Sequence, residues 1–458
     1  MLVMTLIIVA VLLLGYVLMS TEHINHINRA AVAIFCGVIV WILYIINGGD
    51  FLRLVHGEEY REFLQGEPST FATVRDFIGN NVIIRYISEA CAVILFLIAT
   101  NTIIEVLNNN GVFDSLVKWM RMRSSKRFLW IISLITFVIS ANVDNLTTVV
   151  LMMSIMGQIV KSHYQRTIYA CAILIAANIG GSFTVIGDMT SLMLWIRGNV
   201  TASAFSAGLF LPAFTTLCVL NLLISTLLVG KVEVSSVLNM YRGNDSVLSR
   251  WEKIFLLIVG LAGLWAIPTF KHMTGLPPFL GAFCVLALIW IIEGILNFKR
   301  NGSIFFIQRE FLSDSEFISI RIILYFIGIS LGIGVLKECG ALNYLSDILN
   351  SHIHNTYIYG IITGLFSSVV DNVPCVMTGM NLFNISPDVS SDFAINGIYW
   401  QLLPFCSAIG GSLFLIGSLS GHTIMQVEKV RFSWFCRHMT WRIVVAWGCG
   451  LFVFWLTH

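Results

Sequence analysis

Apolar runs of about 18 to 22 residues follow one another along almost the whole chain, separated by short polar or charged stretches. Runs of this length predict membrane-crossing helices near 2–19, 28–47, 87–107, 168–197, 205–230, 253–270, 278–297, 317–336, 397–426 and 440–457. Alternation of apolar and polar positions in segments of roughly ten residues, the mark of a membrane β-barrel, is not visible. Two further apolar runs, 128–160 and 355–384, are interrupted near their middles by polar residues. Each interruption leaves arms of about 12 to 16 residues, which reach only roughly 18 to 24 Å and fall short of a ~30 Å hydrocarbon core. They predict re-entrant hairpins with polar tips near the membrane middle.

The interruptions are copies of one another. Ser140-Ala-Asn-Val-Asp144-Asn145-Leu-Thr147-Thr148 returns as Ser367-Ser-Val-Val-Asp371-Asn372-Val-Pro374. Ile179-Gly180-Gly181-Ser182 with Ile186-Gly187 returns as Ile409-Gly410-Gly411-Ser412 with Ile416-Gly417. The alignment extends back to Ile94-Leu-Phe-Leu-Ile against Ile323-Leu-Tyr-Phe-Ile. Each half thus holds five spans, one of them a discontinuous helix (168–197 and 397–426), plus one hairpin. Because five is odd, the second half enters the membrane from the opposite side. The fold expected is an all-α polytopic membrane protein of two inverted-topology repeats, 1–230 and 253–458, joined by a cytoplasmic linker at 231–252.

Charge orients this arrangement. Lys118, Arg121, Arg123, Lys126 and Arg127 precede the first hairpin and Lys161 and Arg166 follow it, which assigns both flanks to the cytoplasm. The acid-rich 50–76 segment and the Asp388/Asp392 loop fall on the other side, and the whole 48–86 stretch reads as an outer-face loop. Composition agrees: 57% of the 458 residues are hydrophobic and 11% charged, and a net charge of +2 gives no sign of a nucleic-acid partner. The ten cysteines are scattered singly without CxxC spacing, as small core residues rather than a disulfide or metal framework. The first run lacks a basic leader and a small-residue cleavage site, so it reads as a retained span rather than a signal peptide.

Ionisable groups and helix breaks at membrane depth cost several kcal/mol, about 3 per charged residue on insertion scales, so their duplication predicts a binding site. Asp144, Asn145, Thr147 and Thr148 from one tip and Asp371 and Asn372 from the other supply oxygens suited to a hard cation. The same Asp and Asn would also cap the short helices, but Asn alone could do that without a buried charge. The breaks at Asn178, Gly180, Gly181, Gly410 and Gly411 free backbone carbonyls, tolerable where they line a cavity or meet a ligand. After them the halves diverge: Asp188 and Thr190 in the first stand where Ser418 and Ser420 stand in the second. Three central carboxylates, Asp144, Asp188 and Asp371, face no Lys or Arg within those motifs, a balance that favours a cation or proton over an anion.

Glu89 and Glu105, with Asn101 between them, are candidates for a proton path, as against carboxylates satisfied by a structural partner. His422 is a candidate pH sensor, as against a hydrogen-bonded structural group. Lys337 and Glu338 read as an interfacial ion pair. Small cations and membrane lipid are the partners expected, a homodimer is compatible with the pattern, and no cofactor is called for.

In these motifs the chain resembles the NhaD-type sodium/proton antiporters of the ion transporter superfamily, from about Ser88 onward. The resemblance implies Na⁺ or Li⁺ extrusion in exchange for protons at a site of Asp144, Asp188 and Asp371 with the neighbouring Thr and Ser residues, in a bacterial inner membrane. Gly421-His422-Thr423 departs from the small apolar residues usual there. The alternative on the same scaffold is a dicarboxylate or arsenite permease, though dicarboxylate carriers have Ser-Asn-Thr at the tips where this chain has Asp-Asn. An intramembrane aspartic protease would want Gly-x-Gly-Asp, but Val185-Ile-Gly187-Asp188 lacks the first Gly, and the repeat would go unexplained.

Overall fold

The computed structural model describes residues 1–113, 120, 124–228, 230–232, 248–301 and 314–458. Lys118, Arg121, Arg123 and most of the 231–252 linker lie outside the described residues. Among those described, the chain is helical throughout. Sixteen helices carry the architecture: α1 (Leu2–Ser20), α2 (Arg29–Ile46), α3 (Ile84–Asn109), α4 (Ser125–Ser140), α5 (Asn145–Ile159), α6 (His163–Gly181), α7 (Met189–Arg197) and α8 (Ala202–Ser225). After them come α9 (Arg250–Thr274), α10 (Pro278–Asn301), α11 (Asp314–Glu338), α12 (Thr356–Ser367), α13 (Asn372–Leu382), α14 (Ile398–Gly410), α15 (Leu419–Val427) and α16 (Trp441–Thr457).

Eight helical stretches among the described residues are long and apolar enough to cross a membrane. They match eight of the ten spans expected from the sequence. The other two are the broken pairs, α6 with α7 and α14 with α15, whose helical hydrogen bonding stops at Gly181 and Gly410. The runs predicted as hairpins are likewise split, at 141–144 and 368–371. One expectation needs correction: 48–86 is not a loop. It forms Gly48–Val55, Gly57–Leu64 and Phe71–Phe77, and the last continues through a π-helical turn at Ile78–Ile83 into α3, so the third span begins at Phe71. Its apolar residues Phe51, Leu52, Tyr60, Val74 and Phe77 are buried against α2 and α11, and that burial draws a polar, mixed-charge stretch into helices.

The helices pair in the same order in both halves. α1 packs on α2 as α9 does on α10, α4 on α6 as α12 on α14, and α10 on α3 as α2 on α11. α8 and α16, the last helix of each half, pack on one another. α6 lies at the centre, with every residue from Ile168 to Ala177 completely inaccessible, and α14 is buried from Tyr399 to Gly410. A helix apolar on all sides belongs in such a position. The outer surface is the reverse of a soluble protein's: Leu13, Leu14, Phe35, Trp265, Ile291 and Trp455 are each more than half exposed on α1, α2, α9, α10 and α16. Bands of large apolar side chains facing outward suit lipid. All ten cysteines are free thiols.

Candidate functional site

Glycine lets the broken helices approach the hairpins backbone to backbone. A Cβ on Gly180 would lie 2.4 Å from the Phe137 carbonyl oxygen of α4, and one on Gly410 would lie 2.0 Å from the Gly364 carbonyl oxygen of α12. At each contact a serine locks the pair: Ser140 donates to the Ala177 carbonyl at 2.6 Å, and Ser367 to the Ser407 carbonyl at 2.8 Å. The breaks and the hairpin turns are therefore held together in both halves by equivalent residues.

Four helix N-termini begin at these breaks, and the predicted site residues cap them. Asp144 caps α5, Asp188 precedes α7, Asp371 caps α13 and Ser418 caps α15. Asp144 accepts from the Leu146 N–H at 3.2 Å, Asp371 from the Asn372 N–H at 2.8 Å, and Ser418 from the Gly421 N–H at 3.1 Å. Four helix C-termini, those of α4, α6, α12 and α14, precede the same breaks, so partial charges of both signs flank the capping side chains.

Those side chains meet across the halves. Asn145 donates to Asn178 Oδ1 at 3.0 Å, and Asn178 donates to Ser412 Oγ at 2.8 Å, joining the first tip to both broken helices. Asn372 of the second tip donates to Asp188 Oδ2 at 3.3 Å, and Thr190 donates to the same oxygen. Asp144 and Asp188 lie within electrostatic range of one another, as do Asp188 and Asp371. All three carboxylates are buried, and Asp144 Oδ1 has no hydrogen-bond partner. A buried carboxylate oxygen in that condition calls for a proton or a cation.

Thr147 reaches out of the cluster to donate to Asn101 of α3 at 2.9 Å, while Thr148 donates to the Val143 carbonyl. Ser420 is buried at the start of α15. The proton-path candidates separate from this centre. Glu89 receives two bonds from Arg197, at 3.0 and 2.7 Å, and Arg197 also holds Asn381 of α13. Glu89 is thus a paired carboxylate at the mouth of a cleft between α3, α7, α11 and α13. Glu105 is half-buried one turn beyond Asn101. His422 Nδ1 lies 3.1 Å from the Ser418 carbonyl oxygen, one turn back on its own helix. Glu338 pairs with His56 and Tyr86, both at 2.7 Å, rather than with its neighbour Lys337.

Sequence reasoning missed one charged residue of the site. Arg29, the first residue of α2, is buried, and its Nη1 lies 3.8 Å from Asp371 Oδ2. An arginine opening a membrane span normally extends to the interface. Nothing local in the sequence signals this, since Asp371 lies 342 residues further along the chain.

Helices that expose apolar surface, with polar breaks facing inward from both halves, define a multi-pass membrane transporter. The chain belongs to the citrate transporter family, CitMHS, whose model matches residues 1–410. Among its relatives is Sodium/proton antiporter 2 of Arabidopsis thaliana, 28% identical over 97% of this chain and 98% of the relative. The Na(+)/H(+) antiporter NhaD of Vibrio cholerae is 29% identical over 79% of this chain and 76% of its own length. The protein of that name from Alkalimonas amylolytica is 26% identical over 96% and 87%. The resemblance to NhaD-type antiporters seen in the motifs thus extends over most of the chain.

Proposed function

We propose that this protein is a secondary antiporter that exchanges Na⁺ or Li⁺ for H⁺ at the cluster of Asp144 and Asp188, with Asn145, Thr190 and Asn372 orienting the carboxylates and Asp371 completing the charge. The observation that carries this is the buried Asp144 Oδ1 without a hydrogen-bond partner, within electrostatic range of a second buried carboxylate. Cation and proton are alternative occupants of such an oxygen, and competition between them is antiport. Three carboxylates and one guanidinium leave a net side-chain charge of −2, which monovalent cations or protons can balance and an anion cannot.

The reading includes two inverted repeats, with hairpins at 128–160 and 355–384 entering from opposite sides and the broken helices meeting between them. The matched helix pairings and the matched Ser140 and Ser367 locks support it. It extends to a bacterial inner membrane, supported by the NhaD antiporters of two bacteria, while the Arabidopsis relative carries the likeness into a plant.

The family's description as citrate transporters makes an anion permease the rival. Helix N-termini are ready anion sites when their N–H groups are open. Here Asp144 and Asp371 already occupy two of them, standing where the carboxylates of an anionic substrate would bind. Purified protein in proteoliposomes with an imposed pH gradient separates the two. Addition of Na⁺ or Li⁺ is expected to dissipate the gradient, and Asp144→Asn to abolish the response. Citrate uptake with no cation-driven proton movement would overturn the proposal.

A further inference from the structure

We infer that Arg29 is a built-in counter-cation: it neutralises Asp371, keeps the transported ion off that carboxylate in this conformation, and sets the net charge seen at Asp144 and Asp188. This rests on the antiport reading above. The guanidinium is placed from two sides. Its Nε donates to Glu22 Oε2 at 2.6 Å, a tight charge-assisted bond, while Nη1 stands 3.8 Å from Asp371 Oδ2, within ion-pair range but beyond hydrogen bonding. Asp371 Oδ1 is taken by the Asn372 N–H, and Oδ2 has no hydrogen-bond partner within ordinary limits. The Tyr325 hydroxyl of α11 faces the same carboxylate. Among the described residues neither Asp144 nor Asp188 has a basic side chain within 4.0 Å. The two tips, alike in sequence, are therefore unlike in charge: the first is anionic, and the second carries its own cation.

The backbone gives the same asymmetry. Asp371 has φ +51°, a left-handed value uncommon for a residue with a side chain, whereas Asp144 has φ −45°. A non-glycine residue is held there only where the surroundings enforce it. Arg29, with Tyr325 and the Asn372 N–H, supplies that enforcement. Glu22 is more than a quarter exposed, so Arg29 is tethered to an accessible carboxylate while it attracts Asp371 through space.

The inference makes a counterintuitive claim: removing both charges does less harm than removing either. Asp371→Asn alone takes the site from −2 to −1, and Na⁺ affinity is expected to weaken at least tenfold. Arg29→Gln alone strands a buried carboxylate beside two others and is expected to cut exchange at least tenfold. The double variant Arg29→Gln/Asp371→Asn restores −2, and its apparent Na⁺ affinity is expected to return to within about threefold of the parent. Arg29→Lys keeps the charge and is expected to resemble the parent.

Proteoliposomes with a Na⁺ concentration series at fixed pH give the affinities, and melting of the same four detergent-solubilised variants gives an independent readout. A double variant that melts above both single variants and recovers Na⁺ affinity supports the counter-cation. A double variant no better than the worse single one in both measurements overturns it. The melting comparison needs no transport, so it still tests the pair should the parent show no Na⁺-driven proton movement, the result that would sink the antiport reading instead.

Discussion

The backbone contact between α14 and α12 offers the most direct test of how the site is built. Gly410→Ala would set a methyl group 2.0 Å from the Gly364 carbonyl oxygen and 2.5 Å from that residue's Cα and carbonyl carbon. Ordinary contact begins near 3.4 Å, so the two helices must separate by roughly 1 Å or more, and the obstacle is backbone rather than a side-chain end that could rotate away. Overpacking of a tight interior costs about 1–3 kcal/mol, and a backbone clash belongs at the upper end. The Ser367–Ser407 lock and the Asn372 carbonyl that Ser407 also approaches lie on the displaced surfaces, so the second tip moves with them. A shift of about 1 Å at a positioned group can cost on the order of 100-fold in rate. The expected outcome is a melting midpoint several degrees lower in detergent and a fall of at least tenfold in Na⁺-driven proton movement. Gly448→Ala is the control: it is exposed on α16 with nothing within 4 Å of the added carbon, and should stay within about 1 kcal/mol of the parent. Parent-like melting and exchange in Gly410→Ala would refute the close approach and the placement of the tip that depends on it.

Three further outcomes follow from contacts away from the centre. Glu428 is buried at the end of α15 and receives the Arg166 guanidinium at 3.0 and 3.1 Å, so Glu428→Gln should lower stability by about 1–2 kcal/mol. That is less than for a fully buried pair, because Arg166 is about a third exposed, and an unchanged melting midpoint would contradict it. The hydrogen bond to Glu338 raises the pKa of His56 against the opposing effect of burial. The anchorage this gives the 48–64 helices should be complete below about pH 6.5 and be lost as pH rises through the raised value. Hydrogen-exchange protection of Gly48–Leu64 should fall over that range, and His56→Phe should flatten the dependence; equal slopes in both proteins would reject it. For orientation, single cysteines replacing Ser162 and Ser390 in a cysteine-free background should label from the cytoplasm and from outside respectively. Labelling of both from one side would break the inverted topology.

Much of this was legible in the sequence because the bilayer limits what apolar runs and polar breaks can mean. The positions of the spans and of the interruptions at Asp144, Gly180, Asp371 and Gly410 follow from run length and from residues that end helices. Two things were not legible, for the same reason. The helices of 48–86 form because Phe51, Tyr60 and Phe77 join a buried cluster completed by α11, and Arg29 joins the site because it reaches Asp371 of the second tip. Neither partner is near in sequence, and local pattern carries no information about a neighbour some 300 residues away. Glu89 illustrates the same limit: its position in a span left a proton-path residue and a structurally paired carboxylate both open, and Arg197, 108 residues on, supplies a pairing partner.

The bond from Asn178 to Ser412 spans 234 residues, and this bears on how the molecule is made. At roughly 5–20 residues per second, a ribosome needs on the order of ten to fifty seconds to supply Ser412 after Asn178 has emerged. Over that interval the first half can pair α4 with α6 and close the Ser140 lock, yet the amide of Asn178 still lacks its acceptor and Asp188 lacks the Asn372 donor. A buried polar group left unmatched in this way costs about 1–3 kcal/mol. The first half emerging alone is thus held short of its final packing, and its completion is timed by arrival of the second, so a chain halted between the two would display the very defects by which surveillance can recognise it.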